Sequence, residues 1–184
     1  VTLTFSGAIV AGDYQIVGGT GTWAYTSPTP YNVLWRGCKG DNSTDNAACL
    51  NQVGVDTTAG NVQVRIPCGT YRIGAMVTWP GSQMVYEGQG YCTKLHSYLT
   101  IANPMVKISN GTGAMDGIVV QHLRMEGGGA VSSITTGIES ALLRTEYARD
   151  SYIGHVYINN SKGYGLHMGR PQNAKIENSE IRNN

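Results

Sequence analysis

His122, Arg124 and Glu126 alternate along VQHLRMEGG, and 33 residues later His155, Tyr157 and Asn159 fall at the same offsets in IGHVYINNS. A further 23 residues on, IENSEIRNN places Asn178, Glu180 and Arg182 there. Alternate residues of a strand project from one face. If the three strands stack in register, about 4.8 Å apart, they build three outward columns. The first is His122–His155–Asn178, the second Arg124–Tyr157–Glu180, and the third Glu126–Asn159–Arg182. Hydrogen-bonding groups of both signs beside an aromatic ring are what a sugar polymer needs, although a solvated sheet face also carries such residues. The candidate substrate-binding set is therefore His122, Arg124, Glu126, His155, Tyr157, Asn159 and Glu180.

Two reactions on a sugar polymer could use these groups. Glycoside hydrolysis wants two carboxyl groups roughly 5 to 9.5 Å apart. Glu126 and Glu180 are two repeats and one strand step apart, roughly 12 Å, and Glu177 and Glu180 fall on opposite strand faces. Elimination instead needs a Lys, Arg or His base beside a group that neutralises a uronate. His122 with Arg124 fits that requirement. Glu126, Glu180, His122 and Arg124 are thus the catalytic candidates, and no pair among them completes a constellation. Cys38, Cys49, Cys68 and Cys92 show no Cys-X-X-Cys spacing, and His96 makes a poor fourth ligand, so no metal site is expected. They form two disulfides if the protein is secreted, or four buried thiols if it resides in a cytosol. Cys68 and Cys92, 24 residues apart, are about one repeat from each other.

The elements that must position these residues are short strands. Apolar residues recur at offsets 0, 3 and 5 as Val120, Leu123, Met125 and as Ile153, Val156, Ile158. The third repeat keeps Ile176 and Ile181, with Ser179 between them. The longer spacing equals the shorter one plus an excursion of ten residues, which MEGGGAVSSITTG at 125–137 supplies as a surface loop. A period of 20 to 50 residues with a short strand per unit signals a solenoid. The fold class expected is all-β, a right-handed parallel β-helix closed by a short N-terminal capping α-helix. Asn and Gly mark its corners, because both tolerate left-handed backbone.

The helix is read in GDNSTDNAACLNQV, residues 40–53, with Thr44 or Asp45 as N-cap and Ala47, Ala48, Leu50 and Val53 as its apolar side. A helix laid over the open end of a β-structure also covers backbone edges. Before it, VTLTF, AIVA, YQIVGG and TWAYT read as short strands, and SPTPYN at 27–32 as a boundary. Residues 1–31 then form a β-rich head or cap, and residues 32–184 the helix and first coils.

Composition narrows the function classes. Charged residues are 14% of the chain, Gly numbers 25, and thirteen basic residues against twelve acidic ones leave a net charge of +1. No electrostatic footprint for nucleic acid is present, no apolar run is long enough to cross a membrane as a helix, and the first residues lack the basic start of a signal peptide. Asn42, Asn110 and Asn159 open glycosylation sequons, which a chain rich in Asn, Gly, Ser and Thr produces readily by chance.

GCKGDNSTDNAACLNQV, VQVRIPCGTYRIG and MVYEGQGYCTKL together resemble the N-terminal signature of the pectate-lyase-like superfamily of β-helix proteins. Gly37, Gly40, Asp41, Thr44, Asp45, Pro67, Gly69, Thr70, Tyr71, Gly88, Gly90 and Thr93 occupy matching places; Cys38, Asn42 and Asn46 depart from it. The resemblance covers residues 32–96. It implies a long carbohydrate held along a solenoid, and it implies that Asp41 and Asp45 bond backbone amides of the cap rather than a metal. That superfamily includes phage tailspikes, polysaccharide lyases and glycoside hydrolases. A tailspike would be a homotrimer with reduced cysteines and a polysaccharide partner at the virion tail. A secreted lyase or hydrolase would be a monomer with disulfides, and would admit calcium. A non-catalytic shaft or adhesin is the third reading. Trp35 and Trp79 are expected to pack the cap and first coils. KIENSEIRNN stops partway through a repeat, so further coils are expected after residue 184.

Overall fold

A computed structural model of the chain describes residues 2–5, 7–19, 21–99, 103–111, 113–128, 141–161 and 163–182. The head contributes β1 (Thr2–Phe5), β2 (Thr22–Tyr25) and β3 (Tyr31–Asn32), followed by β4 (Asp41–Asp45) and the helix α1 (Ala47–Asp56). The chain then runs in parallel circuits. The first holds β5 (Gln63–Arg65), β6 (Gly69–Ile73) and β7 (Val77–Trp79). The second holds β8 (Val85–Glu87), β9 (Thr93–Ser97), β10 (Val106–Ile108) and β11 (Met115–Asp116). The third holds β12 (Val119–Gly127), β13 (Leu143–Glu146) and β14 (Ala148–Arg149). The last strands are β15 (Tyr152–Asn159), β16 (Leu166–Gly169), β17 (Lys175–Glu177) and β18 (Glu180–Arg182). The described residues are mostly β, with one α-helix, and their strands pair in parallel within curled sheets.

Pairing follows the repeat read from the sequence. Val120 pairs with Ile153, Leu123 with Val156 and Met125 with Ile158; Ile153 then pairs with Ile176 and Ile158 with Ile181. Val77, Val106, Leu143 and Leu166 line up across the β7–β10–β13–β16 sheet in the same way. Val120, Leu123 and Met125 are buried, and burying one such side chain contributes roughly 1.5–3 kcal/mol. The apolar offsets 0, 3 and 5 break strict alternation for a physical reason. His122 takes a left-handed φ of 55° and bends β12. Residues before the bend pair with β8 and those after it with β9, so the inward phase shifts by one at the corner.

A second corner repeats through five circuits. Asn61, Gln83, Gly117, Asp150 and Asn173 each stand two residues before a paired strand, and all have positive φ. Circuit length varies elsewhere. The chain takes Ile73 to Val77 to enter the third sheet in one circuit, but Ser97 to Val106 and Gly127 to Leu143 in the next two. Most of the excursion expected at 125–137 lies outside the described residues.

The helix lies on β7. Leu50 and Val53 are buried, Asn51 Nδ2 donates to the Met76 carbonyl (2.9 Å), and the Thr78 N–H donates to Asn51 Oδ1 (2.7 Å). Two details differ from expectation. Ala48 is exposed, because the buried side follows the i, i+3, i+6 path of Ala47, Leu50 and Val53. Asn46 is the N-cap, while Thr44 and Asp45 lie in β4. The Asn46 amide is engaged with Lys39 and Thr44 backbone instead of capping, and Asp45 Oδ1 accepts the Ala47 and Gly74 amides (both 3.0 Å). Asp41 takes the Ser43 and Thr44 amides and the Thr44 hydroxyl, which hold its carboxyl far below the usual range.

In the head, β1 and β2 pair in parallel, whereas AIVA and YQIV form no strand. Tyr25 and Tyr31 meet edge-on at 4.8 Å, and Trp35 packs beside them. Trp79 stacks on Tyr86 at 4.1 Å under the helix. Both tryptophans pack where the sequence places them. Disulfides join Cys38 to Cys49 and Cys68 to Cys92, which corrects the reduced cysteines expected of a tailspike and matches the disulfides expected of a secreted protein.

Candidate functional site

The outward positions of β6, β9, β12, β15 and β18 form two columns in register. One runs Thr70–Lys94–Arg124–Tyr157–Glu180, the other Arg72–His96–Glu126–Asn159–Arg182. Two of the three expected columns are therefore the upper parts of longer ones. The third, His122–His155–Asn178, stands at the bend rather than on a flat face, and all three residues are left-handed. Asn159, expected to face a sugar, is 6% exposed and is followed by left-handed Asn160.

A groove of about 350 Å³ opens at this bend, lined by Tyr91, His122, His155, Tyr157, Asn178 and Glu180 among others. The Arg124 guanidinium carbon lies 5.5 Å from the Tyr91 ring centre and 5.3 Å from that of Tyr157, whose rings are themselves 5.1 Å apart. A guanidinium within about 6 Å of a ring is attracted by its quadrupole, so the three side chains hold one another. His122 and His155 stack at 4.9 Å. His122 Nδ1 meets Glu87 Oε1 at 3.2 Å, and Glu87 also accepts from Gln121 Nε2 (2.9 Å) and from Gln63 Nε2.

The carboxylates of the strip have their own cations. Lys94 Nζ sits 3.0 Å from Glu126 Oε2, and Arg124 Nη2 is 3.4 Å from Oε1. Burial alone would raise the Glu126 carboxyl, but the Lys94 contact and the Arg124 charge outweigh it and hold it below the usual range. Glu180 is bonded to Arg182. His96 is pushed below its ordinary value by burial first; Glu126 opposes, and the charges of Lys94, Arg124 and Arg72 add to the depression. Among the described residues no three His, Cys, Asp or Glu side chains gather to hold a metal.

Arg72, Lys94, His96, Tyr91 and Glu87 join the expected residues here. GTYRI and TKLHS are paired along their length, Gly69 with Thr93 through Ile73 with Ser97. The separation of Cys68 from Cys92 was the signal that could have aligned them. Tyr91 lies in a corner segment with no counterpart in the later repeats, so no periodicity points to it; Glu87 ends β8, in register with Gln121 of β12.

No family profile and no curated protein matches the sequence. Among solved structures, the chain is similar to ORF18 of Geobacillus virus E2, with 17% identity and a TM-score of 0.56 over 84% of this chain, and it spans 40% of that phage chain. It is also similar to a candidate glycosyl hydrolase from Parabacteroides merdae, with 16% identity and a TM-score of 0.64, over 84% of this chain and 75% of that one. At such identity the likeness is one of fold: the chain shares a parallel-stranded β architecture with a phage protein and with a candidate carbohydrate enzyme.

Proposed function

We propose that the chain winds as a right-handed parallel β-helix whose corner groove binds a polysaccharide, in the manner of a phage tailspike. The observation that carries this reading is the Tyr91–Arg124–Tyr157 stack beside the His122–His155 pair. Aromatic faces take the apolar side of a pyranose, while imidazole, guanidinium and the Asn178 amide offer hydrogen bonds to its hydroxyls. The phage neighbour supports a virion setting, and two disulfides support an extracellular one. The partner is a bacterial surface polysaccharide and the assembly a homotrimer.

A secreted lyase or hydrolase is the second reading, favoured by the Parabacteroides neighbour and by the disulfides. Glu126, Glu180, His122 and Arg124 remain its candidate residues. A shaft without ligand is the third. Surface-plasmon binding to a panel of capsular and uronate polysaccharides tests the main reading. Saturable binding that Tyr157→Ala weakens at least about tenfold is expected; no binding across the panel rejects it. Reducing-end and unsaturated-uronate assays on the same panel detect cleavage, and light scattering separates trimer from monomer.

A further inference from the structure

Tyr91 does not belong to the strip whose residues it covers. It comes from the short 3-10 turn Gly90–Cys92 between β8 and β9, a turn with no buried residue. In the two circuits above, the same corner is turned within a single strand, at His122 of β12 and His155 of β15. In the β8–β9 circuit the corner swells into residues 88–92, more than the 66–68 link between β5 and β6, and the swelling carries Tyr91 past Arg124 to Tyr157. The ring is 64% exposed yet stays 5.1 Å from the Tyr157 ring.

The anchorage of this turn is specific. Cys92, the residue after Tyr91, is bonded to Cys68 on the circuit below. The Cys68 N–H donates to Gln89 Oε1 (2.9 Å), the Gln89 N–H donates to Thr93 Oγ1 (2.8 Å), and the Thr93 hydroxyl donates to the Ile66 carbonyl (3.1 Å). With no apolar side chain of the turn in the core, the disulfide is its one covalent tie to the first circuit.

We infer that the Cys68–Cys92 disulfide fixes Tyr91 as the outer wall of a pyranose subsite, so that the groove is formed in the oxidised protein and opens when this bond is reduced. This rests on the polysaccharide reading above for its ligand, but not for the pinning itself. A dithiol reductant supplies two electrons and two protons, leaves Cys68 and Cys92 as thiols, and is itself oxidised to a cyclic disulfide. The turn is then held by those hydrogen bonds and by the contacts of Tyr91 with Arg124 and Tyr157, with no covalent tie to the circuit below. The ligand chemistry is that of a sugar ring whose apolar face lies on tyrosine and whose hydroxyls or carboxylate meet Arg124 and the two imidazoles.

The test uses the full chain, Tyr91→Ala, Tyr91→Phe and the pair Cys68→Ser/Cys92→Ser. Ring-to-ring NMR contacts between Tyr91 and Tyr157 report the pinning without any ligand. They are expected in the oxidised wild type and are expected to be lost in Cys68→Ser/Cys92→Ser, which keeps the Cys38–Cys49 disulfide. Affinity for oligosaccharides of polygalacturonate, alginate, hyaluronate and dextran reports the subsite. For whichever oligosaccharide binds, Tyr91→Ala and the cysteine pair are each expected to weaken it about tenfold, with little further loss when combined, and Tyr91→Phe to preserve it. Ring contacts that persist in the cysteine pair overturn the inference, as does an unchanged affinity in Tyr91→Ala. If the wild type binds none of the four, the polysaccharide reading fails, and the ring contacts alone decide whether the disulfide holds Tyr91.

Discussion

The imidazoles of His122 and His155 lie stacked across one circuit, centroids 4.9 Å apart and planes 23° from parallel, and both residues hold left-handed backbone. One pair of residues thus turns the corner and lines the groove. Left-handed φ is accessible to His, Asn, Asp and Gly but is a steric outlier for a β-branched residue. His155→Val is therefore expected to lower stability by about 1–3 kcal/mol, and His155→Asn to stay within about 0.5 kcal/mol of the wild type. Urea unfolding of both variants measures the contrast. Equal stabilities would mean that the corner does not depend on that dihedral.

Acid should weaken the fold in two steps of the same sign. Glu126 is held below the usual carboxylate range despite its burial, by Lys94 and Arg124. The folded state then binds fewer protons than the unfolded chain, so this stabilisation is complete above about pH 4.3 and is lost as pH falls through the lowered folded value. His96 is also depressed, by burial first. The unfolded chain takes up its proton earlier, so the contribution of His96 begins to fall below about pH 6.5. Urea midpoints followed from pH 7 to pH 3 should show His96→Gln flattening the upper part of the decline and Glu126→Gln the lower part. Curves parallel to the wild type would contradict the assignment.

Gly54 faces opposing effects whose sizes decide the outcome. An alanine would add about 1 kcal/mol of helix propensity to α1. Yet a Cβ there would lie 2.6 Å from the Thr78 carbonyl oxygen, with Trp79 and Pro80 side-chain atoms at 3.2 and 3.3 Å. Because the nearest atom is backbone of the underlying strand, the helix must lift, and overpacking of this kind costs about 1–3 kcal/mol. Gly54→Ala is expected to lower the thermal midpoint; an increase would show that the helix sits loosely.

The stacked strands were legible because inward residues must be apolar at every circuit, and Val120, Ile153 and Ile176 announce their pairing by type and spacing. What resisted reading was backbone geometry. Nothing in the letters of VQHLRM marks His122 as left-handed rather than extended, so its column was expected on a flat face. The start of α1 slipped by one residue because the Asn46 side chain is engaged by the Lys39 and Thr44 backbone, an interaction formed only after the cap has folded. Tyr91 stayed hidden because a singular corner has no repeat to be compared with.

Asp56, at the end of α1, joins the helix to the head. Its Oδ2 accepts Arg36 Nε at 2.6 Å and the Tyr31 hydroxyl at 2.8 Å; its Oδ1 accepts Arg36 Nη2 at 2.8 Å and the Trp23 N–H at 2.9 Å. The Arg36 and Asp56 side chains are 2% and 0% exposed. Removing the cation alone strands a buried carboxylate, so Arg36→Met should cost about 3–5 kcal/mol. Removing both charges avoids that penalty, but the Tyr31 hydroxyl and the Trp23 amide then lose their acceptor, at about 1–3 kcal/mol for each buried group left unpaired. Arg36→Met/Asp56→Leu should therefore recover part of the loss when Tyr31 is also changed to Phe, and less when it is not. Urea unfolding of the four proteins gives the answer, and a triple variant no more stable than Arg36→Met would show that packing of the head, rather than the buried charge, sets the cost.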